Sequence, residues 1–301
     1  MKIVVTGTNG QVVTALRARA AAIPGIALVA IGRPELDLAD ARAASAAIRA
    51  LAPDIVVNAA AYTAVDQAES EPELAMAVNG AGAGAVAAAA RAAGAAIIQI
   101  STDYVFDGTK TAPYLEDDPV GPISAYGRSK LAGEETVAAA NPDHVILRTA
   151  WVYAAHGKNF LRTMLRLAET RDELSVVADQ QGCPSYAPDI ADIVLGVAQR
   201  LRDKPQEAAM RGVFHLAGAG ETSWAGFAEE IFAQAAGRGL PHARVRPITT
   251  ADYPTPASRP ANSRLSGDKL KQVYGLAMPD WRDALGRCMD EIIKETKATR
   301  T

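Results

Sequence analysis

The chain carries 301 residues, 49% of them hydrophobic and 22% charged, with a formal net charge of −3. This is ample apolar material for one large domain or two moderate ones, and the near-neutral balance excludes a general attraction to nucleic acid or to an anionic membrane. Cys183 and Cys288, the only two cysteines, stand far apart without metal-ligand spacing, and the four histidines are scattered, so free thiols are expected and no metal site.

From the N-terminus, "MKIVVTG" enters a strand-like run with neither a basic n-region nor a cleavage-type site, and the protein is expected to stay in the cytoplasm. Short β-branched runs then alternate with long alanine-rich stretches: "KIVVTG", "ALVAIG", "DIVVNAA", "AIIQIST" and "HVILRT" read as strands. Helices are expected over about 11–22, 40–52, 72–94 and 124–140. Continuous apolar strands separated by helices predict a parallel sheet covered on both faces, a doubly wound, Rossmann-like α/β fold. The alanine-rich part of the third helix, 81–96, contains Gly82, Gly84, Arg91 and Gly94; it is too short and too weakly apolar to span a bilayer and reads as a buried helix.

Beyond "HVILRT" the pattern is less regular. A helix "KNFLRTMLRLAET" leads to a strand "LSVVAD", the loop "QQGCPSYAP", a helix "DIADIVLGVAQRL" and a strand "VFHLAG"; mostly helices and the loop "DYPTPASRPANSRL" follow. The expected organisation is a dinucleotide-binding domain over 1–155, with returning segments near 184–220, and a smaller, interleaved α/β substrate domain made of 156–183 and 221–301. The polar tail "KETKATRT" is expected to fray.

Within this frame, "VVTGTNGQVV" puts Gly7 and Gly10 between the first strand and the first helix. There they permit a tight turn and let a dinucleotide pyrophosphate approach the free N–H groups of the helix N-terminus. Val13 stands where a third glycine is common, which would hold the helix farther from the strand or require a small partner opposite. After the second strand, Arg33 occupies the place where an acid usually binds a ribose 2′-hydroxyl. An arginine there suits a 2′-phosphate, so NADPH is expected to serve at least as well as NADH; a solvated Arg33 on a turn is the plainer alternative.

"STDYVFDG" closes the fourth strand and sets Thr102 at the carboxyl edge of the sheet, where such folds bind ligands. "YGRSK" then puts Tyr126 and Lys130 four positions apart, on one helix face. Taken alone that pair is more often an ordinary surface turn; beside Thr102 and a nucleotide loop, it becomes a candidate proton donor and its ammonium partner. A free tyrosine has a pKa near ~10, and an adjacent ammonium would bring it down.

The segments "GTNGQ", "NAAAYTAVDQAE", "STDYVFDG", "YGRSKLAGE", "RTAWVY", "DQQGCPSY" and "RPANSRL", in this order and spacing, resemble the extended short-chain dehydrogenase/reductase superfamily. Within it they are most similar to the dTDP-4-dehydrorhamnose reductase family, over residues 1 to about 293. The resemblance implies hydride transfer from NADPH or NADH to the C4 carbonyl of dTDP-4-dehydro-6-deoxy-L-mannose. Tyr126 would protonate the developing alkoxide, Lys130 would supply charge and bind the nicotinamide ribose, and Thr102 would hydrogen-bond the same carbonyl oxygen. It also implies that Gly10, Gln11 and Val12 contact the pyrophosphate, Asp37 and Leu38 the adenine, and Ala61, Tyr62 and Thr63 the ribose and phosphate region. Asp103 and Tyr104 would border the sugar, Trp151 would form an apolar wall, and Arg259, in preference to Arg264, would pair with the substrate diphosphate.

Some members bridge dimers through a metal held by a glutamate on the first helix; Ala15 stands there in this chain, so no metal requirement is expected and a monomer or a homodimer stays open. Ser185 replaces a common threonine and keeps the hydroxyl. Two rival readings remain. One is another sugar-nucleotide epimerase or dehydratase, although Asp103 is followed by Tyr104 rather than by a second acid. The other is a non-catalytic regulatory subunit, which the presence of Thr102, Tyr126 and Lys130 disfavours.

Overall fold

The computed structural model describes residues 1–298. In chain order the first half is β1 (Lys2–Thr6), α1 (Gln11–Ala21), β2 (Ala27–Ile31), α2 (Ala41–Leu51), β3 (Ile55–Asn58), α3 (Pro72–Met76), α4 (Ala83–Ala92), β4 (Ala96–Thr102), α5 (Ala125–Ala140) and β5 (His144–Thr149). The second half is β6 (Val152–Tyr153), α6 (Phe160–Ala168), β7 (Glu173–Val177), β8 (Gln181–Gly182), β9 (Ser185–Tyr186), α7 (Ala187–Asp203), β10 (Gly212–His215), β11 (Thr222–Ser223), α8 (Trp224–Ala236), β12 (Arg244–Ile248), α9 (Asp268–Tyr274) and α10 (Trp281–Ala298). The expected fraying tail is helical as far as Ala298, and 299–301 lie outside the described residues.

Six strands form one parallel sheet in the order β10-β5-β4-β3-β1-β2. Because side chains alternate across a strand, Ile3, Val5, Val57 and Ile98 face α1 and α7, whereas Val56 and Ile97 face α2 and α4. Both faces are therefore dry, which is why these strands read as unbroken apolar runs. The chain reverses direction across the sheet between β1 and β3, and the crevice beyond their carboxyl ends is where such a fold receives a ligand.

The stretch Pro72–Ala92 is the one helical segment among the described residues long and apolar enough to cross a membrane; half of its most apolar window is buried in this fold. A π turn at Ala77–Gly82 joins α3 to α4. Gly82 and Gly133 make room there: a Cβ on the first would collide with the Leu38 carbonyl and one on the second with the Asn79 carbonyl. Small residues thus let this helical stretch meet the backbone of the 37–39 segment at Gly82 and that of α5 at Gly133.

A second cluster packs Tyr153, Leu161, Phe227, Trp281 and Met289 from β6, α6, α8 and α10. Its two-stranded pairings, β12 with β7, β11 with β8 and β6 with β9, have no counterpart in the sequence pattern apart from β7 itself. One segment differs from the expected domain boundaries. Within 221–301, Leu270, Tyr274 and Met278 join the core of the large sheet, where Tyr274 lies edge-on to Phe214 and donates to the Met210 carbonyl at 2.6 Å. The apolar face of α9 covers edge strand β10, which has no further strand beyond it.

Candidate active site

The candidate coenzyme edge is built first by the backbone. Gly7 takes φ 97° and its N–H donates to the Ile31 carbonyl at 2.7 Å, tying the β1–α1 turn to the end of β2. The space beside Gly10 is open, α1 has no side-chain cap and no acid in its first turn, and the first helical N–H groups, including those of Gln11 and Val12, have no partner within the helix. Such an end fits a diphosphate. Val13 has the small partners it needs: its Cγ2 lies 3.4 Å from where a Gly7 Cβ would sit, beside Ala60. The Gln11 side chain points elsewhere, accepting from Asn159 Nδ2 at 2.8 Å, so only its backbone faces the loop.

Arg33 is exposed next to this turn and makes no hydrogen bond or ion pair among the described residues. Asp37 accepts from the Ala39 N–H at 3.0 Å, and Leu38 is buried beneath α4. A buried chain of short polar groups crosses the strand ends: Thr6 Oγ1 donates to Asn58 Oδ1 at 2.6 Å and Asn58 Nδ2 donates to Gln99 Oε1 at 2.7 Å. Thr6 Oγ1 also accepts from the N–H groups of Ala59 and Ala60, which places the segment containing Ala61, Tyr62 and Thr63.

Asn79, which no sequence motif singles out, fixes that segment to the candidate catalytic helix. It accepts from the Tyr62 N–H at 2.8 Å and donates to the Tyr62 carbonyl and to Ser129 Oγ. A buried polar residue inside an otherwise apolar helix is the one signal of it that the sequence holds.

Ser124 caps α5 by accepting from the Gly127 N–H at 3.1 Å. Gly127 then lies so close to the Tyr104 carbonyl that a Cβ would collide with it, which brings the first turn of α5 against the 103–105 turn. As a result Tyr126 sits edge-on to Tyr104, ring centroids 5.4 Å apart, with the Thr102 hydroxyl near enough to favour its phenolate. Two stronger influences, burial and the negative charge of Asp103, push the Tyr126 phenol above its ordinary range. This corrects the expectation that Lys130 lowers it. Lys130 Nζ donates to the Ile100 carbonyl at 2.7 Å, and burial pushes its ammonium down to about 8 against the opposing charge of Glu134.

Thr102 differs from expectation as well: its Oγ1 donates to Asp103 Oδ1 at 2.8 Å, so its proton is already committed. Asp103 is buried, Oδ2 has no hydrogen bond, and its carboxyl is pushed up to about 6 by that burial, although Ser263 and Thr102 favour the charged form. One helical turn below Lys130, Glu134 pairs with Arg148 at 2.7 Å and accepts from Ser101 Oγ, locking α5 to the ends of β4 and β5.

A cavity of about 940 Å³ opens between α6, β7 and β12, walled by Phe160, Trp224, Tyr253, Arg171, Arg246 and Arg259 among others. Arg259 is paired with Asp66 at 2.8 Å, and its charge also favours the Tyr104 phenolate, so it stands between the cavity and the catalytic cluster. Arg264 instead pairs with Glu221 at 3.0 Å, away from the cavity. Trp151 is not itself on the cavity wall; it stacks against Trp224, which is. Ala15 is buried between α1 and the sheet, and no group of three or more His, Cys, Asp or Glu that could hold a metal comes together among the described residues.

A doubly wound parallel sheet with an anion-accepting turn after β1, and a threonine, tyrosine and lysine gathered at the end of β4, define an NAD(P)-dependent oxidoreductase of the extended short-chain dehydrogenase/reductase type. The sequence profile described as RmlD substrate binding domain matches residues 1–294. The dTDP-4-dehydrorhamnose reductase of Sinorhizobium fredii is 51% identical over 99% of this chain and 99% of its own. Among solved structures, a dTDP-4-dehydrorhamnose reductase from Clostridium acetobutylicum is 39% identical, covers 97% of this chain and 99% of its own, and superposes with a TM-score of 0.89. Another from Bacillus anthracis, in complex with NADP, is 34% identical, covers 96% and 99%, and gives 0.88. The chain belongs to the dTDP-4-dehydrorhamnose reductase family.

Proposed function

We propose that this chain, working in the cytoplasm, reduces dTDP-4-dehydro-6-deoxy-L-mannose to dTDP-L-rhamnose, with NADPH or NADH as the reductant and Tyr126 as the proton donor. The observation that carries the reading is the gathering of Thr102, Tyr126 and Lys130 at the carboxyl end of β4, next to an uncapped α1 terminus suited to a diphosphate. Bound there, a reduced nicotinamide supplies the hydride that C4 accepts.

The residues account for the rest. Burial and Asp103 keep the Tyr126 phenol protonated at neutral pH, which is the form a proton donor needs. Lys130 remains largely cationic at pH 7 and stabilises the phenolate left once the proton has moved to O4. Thr102 orients the carbonyl oxygen, its hydroxyl turning from Asp103 to the substrate. Gly10, Gln11 and Val12 hold the pyrophosphate through backbone N–H groups; Arg33, Asp37, Leu38, Ala61, Tyr62 and Thr63 frame the adenosine and ribose side. The substrate's nucleotide half enters the cavity, with Arg259 towards its diphosphate and Asp103, Tyr104 and Trp151 around the sugar. The chain serves as a monomer or a homodimer without a metal requirement.

The test is NADPH oxidation followed against a panel of dTDP- and UDP-linked 4-keto sugars, in which the dTDP-4-dehydro-6-deoxy-L-mannose signal should dominate. Tyr126→Phe should lower kcat by roughly 1,000-fold while leaving NADPH binding intact. Turnover surviving in that variant would remove the tyrosine from the mechanism, and a flat panel would remove the substrate.

A further inference from the structure

Trp151 holds a backbone φ of 47°, in the left-handed region that a bulky side chain occupies only when its surroundings impose it. Two contacts hold it here. The Trp151 indole stacks on Trp224 with ring centroids 3.5 Å apart and planes 9° from parallel. It also lies against Gly182, where a Cβ would come within 2.6 Å of its Cζ2 and 2.7 Å of its Nε1. Gly182 and Trp224 are themselves linked, because β8 pairs with β11 through Thr222 opposite Gly182, and Trp224 follows directly after β11. A ribbon thus seats both the bare backbone and the ring that clamp one indole.

The clamp has two ends. Alone among the described residues, Trp151 packs against both the cluster of Val105 and Phe106, just after Asp103 and Tyr104, and the cluster of the small domain. Trp224 packs on Phe160 at 4.6 Å and forms part of the wall of the cavity.

We infer that Trp224 is a positioning residue: it contacts the nucleotide half of the substrate in the cavity and, through the stack, sets Trp151 and so the alignment of the sugar at Thr102 and Tyr126. The inference rests on the substrate reading above. A nucleoside base or ribose seated against one face of Trp224 bears on an indole whose other face holds the catalytic wall, so binding remote from C4 is converted into orientation at C4.

Three variants separate this from a merely structural role. Trp224→Leu keeps apolar volume under α8 without a flat ring. It should raise the inhibition constant of dTDP, used alone as the probe, by roughly 5-fold and lower kcat for the nucleotide sugar by roughly 10-fold, while the NADPH dissociation constant stays within about twofold. Trp224→Phe, which restores a ring, should recover both to within about threefold. Trp151→Phe should lower kcat like Trp224→Leu yet leave the dTDP constant near that of the unmodified chain. A kcat within twofold of the unmodified chain in Trp224→Leu overturns the inference. Should the unmodified chain reduce none of the 4-keto sugar nucleotides, the substrate reading falls instead, and this inference with it; where the unmodified chain turns over, the variants bear on Trp224 alone.

Discussion

On the side of the cleft proposed for the coenzyme and the proton donor the chain comes together where side chains are missing, Gly127 under the Tyr104 carbonyl and Gly133 under the Asn79 carbonyl, whereas on the side proposed for the substrate it is held by large groups, Trp151 on Trp224 and Arg259 on Asp66. The first arrangement is rigid because backbone meets backbone and short buried polar groups such as Thr6, Asn58 and Gln99 satisfy one another. The second leaves a cavity of about 940 Å³, with Trp224 and Arg259 on its wall and their partners Trp151 and Asp66 outside it. A coenzyme of constant shape suits the first; a substrate that must enter, be turned over and leave suits the second. Changes on the first side should therefore damage catalysis through geometry; on the second, loosening the Arg259–Asp66 pair should appear mainly in substrate affinity, while disturbing the Trp151–Trp224 stack should reach kcat as well.

The sharpest test of the rigid side is Gly127→Ala. The added methyl meets the Tyr104 carbonyl and, at 2.9 Å, the Pro122 Cβ, so α5 must retreat from the 103–105 turn. Overpacking of this kind costs about 1–3 kcal/mol, and displacing Tyr126 by even ~1 Å can cost on the order of 100-fold in rate. Expected is a folded enzyme with a lower Tm, a kcat down by roughly 100-fold and a substrate KM changed by less than about threefold. A loss confined to KM would erase the distinction between the two sides.

The join between them is Asp66, whose carboxyl is held below its ordinary range chiefly by the Arg259 side chain and which also accepts from the Ala257 N–H at 3.2 Å. Asp66→Ala releases the 255–259 loop and leaves the half-buried Arg259 without its partner. The pair is partly solvent-screened, so the effect should be smaller: a rise in nucleotide-sugar KM of about 10-fold with kcat nearly kept. Steady-state kinetics showing an unchanged KM would mean that the loop does not need this anchor.

The same contrast decides what could be read from the sequence. Strands such as "KIVVTG" and "AIIQIST", and the placement of Thr102, Tyr126 and Lys130, follow from local patterns: apolar runs between turns and a four-residue helical spacing. The "GRS" inside "YGRSK" does more than fill a turn, since Gly127 permits a close approach and Ser129 receives Asn79. Neither contact leaves a local trace. Nor does the stack on Trp224, the Asp66–Arg259 pair or the docking of α9 on β10, all of which join residues far apart in the chain. β12 is hidden for another reason: "RVRPI" is largely exposed and holds Pro247, so it lacks both the apolar run and the full set of donors of a central strand. The direction of the Tyr126 shift escapes a sequence reading because it comes from burial and from the charge of Asp103, which helical spacing does not report; Lys130 lies on the expected face, but its Nζ turns to the Ile100 carbonyl.

The smallest expected effect concerns Arg33, at the outer rim of the rigid side. It is exposed and unpaired among the described residues, beside the turn where Gly32 and Gly7 come together. A guanidinium there can meet a 2′-phosphate, but in a solvated setting where salt screens it over a Debye length of about 10 Å at 0.1 M. Arg33→Ala should therefore raise the KM for NADPH by about 5-fold, leave that for NADH within about twofold, and lose most of its effect at ~1 M salt, where exposed charges are screened within about 3 Å. Equal effects on both coenzymes would indicate that Arg33 supports the turn by packing. An effect that survives high salt would indicate that the phosphate is drawn out of water into a closer, less screened grip than an exposed rim provides.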